Sequence, residues 1–163
     1  DRKTFTIALL TIIVWASGFA GIRASILGGF SSGHLVLMRF LLFRVFTNAI
    51  ITKNHFRLPE KKDLLHIFVL GLIGITFYHV FVTFGQQTVS AGTTSMIIGS
   101  APIFTTLIAV FILKERMEWF AWVGLGIGFL GIILITLGTS GASFTISKGL
   151  FLVLLGAISS SFF

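Results

Sequence analysis

The sequence predicts an all-α transmembrane helical bundle, with five complete spans and the start of a sixth. Three observations carry that prediction. Hydrophobic residues make up 55% of the chain and charged residues only 10%, where a soluble domain has about a quarter charged. The charges are segregated into short clusters between long apolar runs. Those runs are continuous rather than alternating and about twice as long as a barrel strand, which favours helices over β-structure.

A helix needs about 20 apolar residues to cross the hydrocarbon layer. Phe5 to Ile22 is the first such run, and His34 to Thr52 the second, interrupted by Arg39 and Arg44. Leu64 to Phe84, Thr94 to Leu113 and Trp119 to Leu137 follow. Gly149 to Phe163 begins a sixth run that stops after 15 residues. The chain is therefore expected to be cut at its C-terminus and just before Asp1. Residues 1–148 form one five-helix unit, and residues 149–163 the truncated start of span six. The first run follows Arg2 and Lys3, but its apolar core is too long for a signal peptide and no small-residue cleavage site follows it.

The net charge of +7 would suggest nucleic acid in a soluble protein. Here the basic residues flank apolar runs, so they act on topology instead, and no nucleic-acid partner is expected. With the N-terminus in the cytoplasm, Arg2, Lys3, Lys53, Arg57, Lys61, Lys62, Lys114 and Arg116 lie inside, and only Arg23 and Lys148 lie outside. That bias fixes one orientation and argues against dual insertion. The loops are short; the longest inside, Lys53 to Asp63, is a plain connector holding Pro59. No soluble catalytic module fits. There is no cysteine, hence no disulfide or thiolate site, and the sequence predicts no cofactor and no metal.

Polar residues inside spans mark the surfaces that must meet protein or water. In span three, Thr76, His79, Thr83 and Gln86 share one helical face, beside a stripe of Gly71, Gly74, Tyr78 and Gly85. Interhelical hydrogen bonding would explain the stripe; His79, a titratable group near mid-membrane, points to a cavity. In span one Trp15 is too deep for an interfacial belt, so it lines a cavity or fills the core. Trp119 and Trp122 open span five as belt anchors. That span's Gly124, Gly128 and Gly131 form a small face for close helix packing. Gly126 to Gly131 also fits G-x-G-x-x-G, but without a preceding strand it is no dinucleotide fingerprint.

Arg39 and Arg44 point about 140° apart, and no Asp or Glu lies in a complete span to pair with them. Arg44 can snorkel to the cytoplasmic interface. Arg39, toward the outer half, has three open roles: binding helix-end carbonyls, meeting an acid on segments beyond this chain, or holding an anionic substrate. Pro102, in the middle of span four, frees the carbonyl of Ile98. Ser95, Gly99, Pro102 and Thr106 share a face and are expected to point into the bundle. A bent helix with such a face makes a cavity wall and a hinge, or a static packing kink.

The layout resembles one repeat of the EamA type in the drug/metabolite transporter superfamily. The segments that carry the resemblance are "WASGFAGIRASILGGFSSGHLVLMRFLLF", "LGLIGITFYHVFVTFGQQTVSAGTTSMIIGSAPIFTTLIAVFILKER" and "EWFAWVGLGIGFLGIILI", over residues 5 to 138. Ser32-Gly33 departs from the proline that the family usually has at the start of span two, and Arg44 departs from a stretch that is usually apolar. The resemblance implies a ten-span inverted-repeat transporter of small metabolites, amino acids or drug-like compounds, in a bacterial inner membrane. Its missing partner is a second repeat of the same protein or a second chain. It implies a substrate site lined by Trp15, Tyr78, His79, Gln86, Ser95 and Gly99, with Arg39 as the family's span-two arginine and Pro102 as a hinge. Glu115 would match an acidic residue after span four that pairs with nearby basic residues. The alternatives are a membrane-embedded enzyme using His79 and Arg39, or a non-transporting membrane subunit.

Overall fold

The computed structural model describes residues 1–53, 59–140 and 147–162; Arg57 and Phe163 lie outside them. All regular structure among the described residues is helical. Helix α1 runs from Arg2 to Leu27, capped by the Asp1 carboxylate, which accepts from the Lys3 amide. It extends past the predicted end at Ile22 and stops at Gly28-Gly29, where Gly29 takes a φ of 92° that a side chain would resist. Helix α2 spans Ser32–Lys53. Helices α5 (Ala91–Gly99) and α8 (Lys148–Ser160) each begin on a serine hydroxyl that accepts a first-turn amide: Ser90 from Thr93 and Ser147 from Leu150. Such caps are typically worth about 1 kcal/mol.

Span three is not one regular helix. Helix α3 (Leu64–Leu70) passes into a π-helical stretch, Gly71–Phe77, and then into α4 (Tyr78–Gly85). Gly71 and Gly74 leave room for the wider turn, and the Thr76 hydroxyl donates to the Gly71 carbonyl at 3.2 Å. Span four is also divided, with α5 ending before Ser100 and α6 running from Ala101 to Phe111. Pro102 sits in the first turn of α6, the one helical position where a missing amide costs little. Helix α7 spans Trp119–Ser140. By length and hydropathy, Arg2–Leu27, Leu64–Gly85 and Ala91–Phe111 can each cross a membrane.

Helix α8 occupies the middle. It packs most closely on α4 and also on α5; α1 lies against α5, and α2 against α4. Hydrophobic burial gives no driving force between helices in lipid, so small residues and hydrogen bonds set this arrangement. A Cβ added to Gly149 would lie 2.0 Å from the Thr88 hydroxyl and 2.7 Å from the Gly85 carbonyl. The closest glycine-mediated backbone approach is therefore between α4 and α8. In span five, by contrast, Gly124 and Gly131 have no atom within 4 Å of such a Cβ, and Gly128 meets only the tip of Ile103. Of the glycine face expected to dock α7, Gly128 thus packs on α6, while Gly124 and Gly131 stand clear because α7 lies at the edge of the bundle beside α5 and α6.

The buried core gathers at one end, from Phe19 and Ile22 of α1, Val82 of α4, Ile97 and Ile98 of α5, and Leu150, Val153 and Ala157 of α8. The other half of α1, through Ser17, is exposed along its length.

Candidate functional site

The bundle is tied shut where its core lies. Arg23, at the far end of α1, donates to the carbonyls of Gln86 (2.5 Å) and Gln87 (2.9 Å), just past α4. A helix C-terminus carries orphan carbonyls and partial negative charge, so a guanidinium there is doubly favoured. The fully buried Gln86 donates from Nε2 to the Phe19 carbonyl at 3.2 Å. Gln87 donates to Ser32 at 2.9 Å, whose hydroxyl reaches the Thr83 carbonyl. Residues of α1, α2 and α4 thus close on one another.

Toward the other end the helices part. A cavity of about 360 Å³ lies between Trp15 of α1, Gly74, Ile75, Tyr78 and His79 of span three, Ile98 and Ala101 of span four, and Ser160 of α8. A second, of about 480 Å³, adjoins it through Trp15, Ile75 and His79 and reaches Arg39, Phe40, Phe43 and Phe46 of α2. Both fall in the range of small-molecule sites. A recess of only about 20 Å³ continues toward the closed end, past Arg39, Tyr78, Gly18 and Ile22. The free space narrows abruptly where the polar ties begin.

Trp15 touches all three spaces and is 57% exposed. Of the two roles open to it, lining a cavity is the one it takes. Its ring stands edge-on to Phe19 at 5.5 Å. His79 lies 4.9 Å from the Tyr78 ring and 5.8 Å from Phe40, and its Nδ1 is buried with no protein partner. Tyr78 and His79 directly follow the π-helical stretch, whose wider turn changes where the next side chains project.

The sequence-predicted residues thus divide. Trp15, Arg39, Tyr78 and His79 come together. Gln86 is placed in the seal instead. Ser95 and Gly99 line none of these three spaces; Gly99 is exposed, and the Ser95 hydroxyl donates to the Gly92 carbonyl of its own helix. That local bond removes the need for an inward partner. Pro102 also faces outward, in a shallow groove with Thr106 against Met117, Ala121 and Gly124. The face of span four turned to the bundle is Thr94, Ile97, Ile98 and Ala101. Glu115 forms no ion pair with any described residue; the pair found among them is Lys62–Glu60. The left-handed φ of 57° at Lys114 turns the chain there, and exposed charges gain little from pairing.

Several lining residues escape a reading of polar positions alone. Phe43 and Phe46 follow Arg39 at spacings of four and three, a helical stripe that could have found them. Ser160 belongs to the run Ser159-Ser160-Ser161, the polar cluster in an otherwise apolar helix. Ser159 donates to the Ile73 carbonyl in the π-helical stretch, and Ser161 to the Ala101 carbonyl at 3.1 Å, beside the break in span four. One end of α8 therefore satisfies backbone groups of both irregular segments. No group of three His, Asp or Glu side chains suited to a metal occurs among the described residues.

Comparison with known proteins agrees with this picture of a helical membrane bundle. The chain is 37% identical over 165 residues to the "Uncharacterized transporter YdfC" of Bacillus subtilis, covering 99% of this chain and 53% of that protein. It is 33% identical over 139 residues to a "Probable terminal-alkyne amino-acid exporter" of Streptantibioticus cattleyicolor, covering 85% and 46%. With the "Uncharacterized inner membrane transporter YedA" of Escherichia coli K12 it shares 30% identity over 157 residues, covering 92% and 48%. The chain spans about half the length of the curated relatives it matches. No solved structure matches it. The EamA-like transporter family matches residues 2–137, most of the chain, and the protein, a multi-pass helical membrane protein, belongs to that family.

Proposed function

We propose that this chain is one five-span repeat of a ten-span secondary transporter, which exports or exchanges small metabolites by alternating access across an inner membrane. An odd number of spans makes a following copy enter inverted, the architecture of many carriers. Relatives about twice as long support that reading. So does the relative named as an amino-acid exporter, for amino acids or drug-like compounds as cargo.

The observation that carries the proposal is the meeting of Trp15, Arg39, Tyr78 and His79 around adjoining cavities closed at one end by Arg23, Gln86 and Gln87. A carrier needs a site that opens to one side at a time. With the N-terminus in the cytoplasm, the closed end is the outer one and the cavities open inward. Trp15, Tyr78, His79 and Arg39 contact substrate, Gln86 holds the closed end, and movement about Pro102 rearranges span four.

The test is transport by the full-length protein in sealed vesicles of both orientations, with radiolabelled amino acids and organic acids. Saturable movement that is lost in Trp15→Ala supports the proposal. Chemical conversion of the solute would identify a membrane enzyme instead, and neither movement nor conversion of any solute would leave a non-transporting subunit.

A further inference from the structure

We infer that the site around Arg39 selects organic anions: a carboxylate carried on an apolar or aromatic body, with no ammonium group required. The inference deepens the transporter reading and rests on it for what happens after binding.

The acidic residues of the chain are Asp1, Glu60, Asp63, Glu115 and Glu118, and none falls within a membrane span. Arg39 nevertheless stands on α2 beside the 480 Å³ cavity and the small recess that continues from it. It has neither a hydrogen bond nor an ion pair with a described residue, whereas Arg23 spends its donors on two carbonyls. Its partly buried position leaves a charge that lipid cannot solvate. An unpaired arginine at this depth is costly. A carboxylate is the group that best offsets this cost, because the planar guanidinium offers two parallel donors matching its two oxygens.

The walls define the remainder of the ligand. Phe40 and the largely exposed Phe43 and Phe46 line this open cavity on the side of α2, and Trp15 borders it from α1. These surfaces suit a flat or branched apolar body and supply no counter-charge. An ammonium would find ring faces, chiefly Trp15 and Tyr78, which are weak cation–π partners beside a full counter-charge. Meanwhile it would sit in the field of Arg39. His79, whose Nδ1 lacks a partner, provides a neutral polar contact for the carboxylate or a hydroxyl near it. A zwitterion is therefore tolerated, a simple acid preferred and an amine rejected.

Four ligands with one body test this: 3-phenylpropanoate, its primary amide, phenylalanine and phenethylamine. Each is titrated against the full-length protein in neutral detergent by intrinsic tryptophan fluorescence and by competition. The expected order is acid first, then zwitterion, with amide and amine weaker than the acid by about tenfold or more. In Arg39→Gln the preference of acid over amide disappears, while Arg39→Lys retains part of it. The wild-type order alone already decides the matter should Arg39→Gln fail to fold. Equal binding of acid and amide, or an unchanged preference in folded Arg39→Gln, overturns the inference; the former result would mean that another part of the full-length chain neutralises Arg39, the latter that a different group holds the carboxylate. The two proposals fail separately. Arg39-dependent binding without translocation in vesicles would sink the transporter reading alone, and translocation of solutes indifferent to Arg39 would sink this one alone.

Discussion

Arg23 and Gln86 lie 63 positions apart in the chain and meet at 2.5 Å, the guanidinium of one donating to the main-chain carbonyl of the other. With the second bond to Gln87, the contact fastens the end of α1 to the turn between spans three and four. Hydrogen bonds to charged groups are worth about 1.5–3 kcal/mol each, less where water competes, and Arg23 is half-buried. Arg23→Ala is expected to lower stability by about 1–3 kcal/mol. It should also loosen the closed end. Because the chain has no cysteine, a single cysteine placed at Gly18 reports on the recess. Its labelling by an impermeant thiol reagent added outside should rise several-fold in Arg23→Ala; unchanged labelling would show that Arg23 is not part of the seal.

His79 sets the expected pH dependence. The groups facing its cavities are Arg39 from α2, Tyr78 beside it, and the Phe40 ring. A proton gained by its imidazole adds positive charge next to Arg39, so affinity for an anionic ligand should rise as pH falls. His79→Gln keeps a polar side chain but cannot titrate, and binding should become flat with pH. A profile that stays sloped in the folded variant would assign the titration to another group.

Gly149 is closely approached by its neighbours. Gly149→Ala forces a methyl group against the Thr88 hydroxyl and the Gly85 carbonyl; the latter is backbone and cannot rotate away. Overpacking of this kind costs typically 1–3 kcal/mol. Gly131→Ala is the matched comparison, since a Cβ there meets nothing within 4 Å. Thermal unfolding in detergent should place Gly149→Ala clearly below the native protein and Gly131→Ala at or above it.

The serine run of α8 should matter in proportion to the backbone groups it satisfies. Ser159→Ala removes a donor from the Ile73 carbonyl, and Ser161→Ala removes one from the Ala101 carbonyl, which also accepts from the Thr105 hydroxyl at 3.2 Å; Ser161 itself also donates to Ala157 at 2.8 Å. Interhelical hydrogen bonds in a membrane protein average about 0.6 kcal/mol, with a maximum near 1.7. Each single change should cost that order of stability. Ser160→Ala, which touches the cavity without crossing to another helix, should leave stability unchanged. Equal losses in all three would refute this bracing role.

Composition and charge placement by themselves determined that the chain forms apolar helices, where each lies to within a few residues, and that Arg39 has no acidic partner inside a span. Those properties follow from hydrocarbon thickness and the cost of bare charge, which act on each segment alone. The sequence also marked Trp15, Tyr78 and His79 as misplaced polarity in an apolar run. Which polar groups turn inward was decided only by the tertiary structure. Ser95 and Gln86 look alike as polar residues near helix ends, yet one bonds its own helix and the other crosses to Phe19. A hydroxyl can satisfy itself locally, so periodicity cannot assign its direction. The placement of α8 in the middle of the bundle, and the π-helical turn below Tyr78, likewise depend on Gly149 meeting Gly85 and on Ser159 reaching Ile73. These contacts link residues tens of positions apart, and no local pattern encodes them.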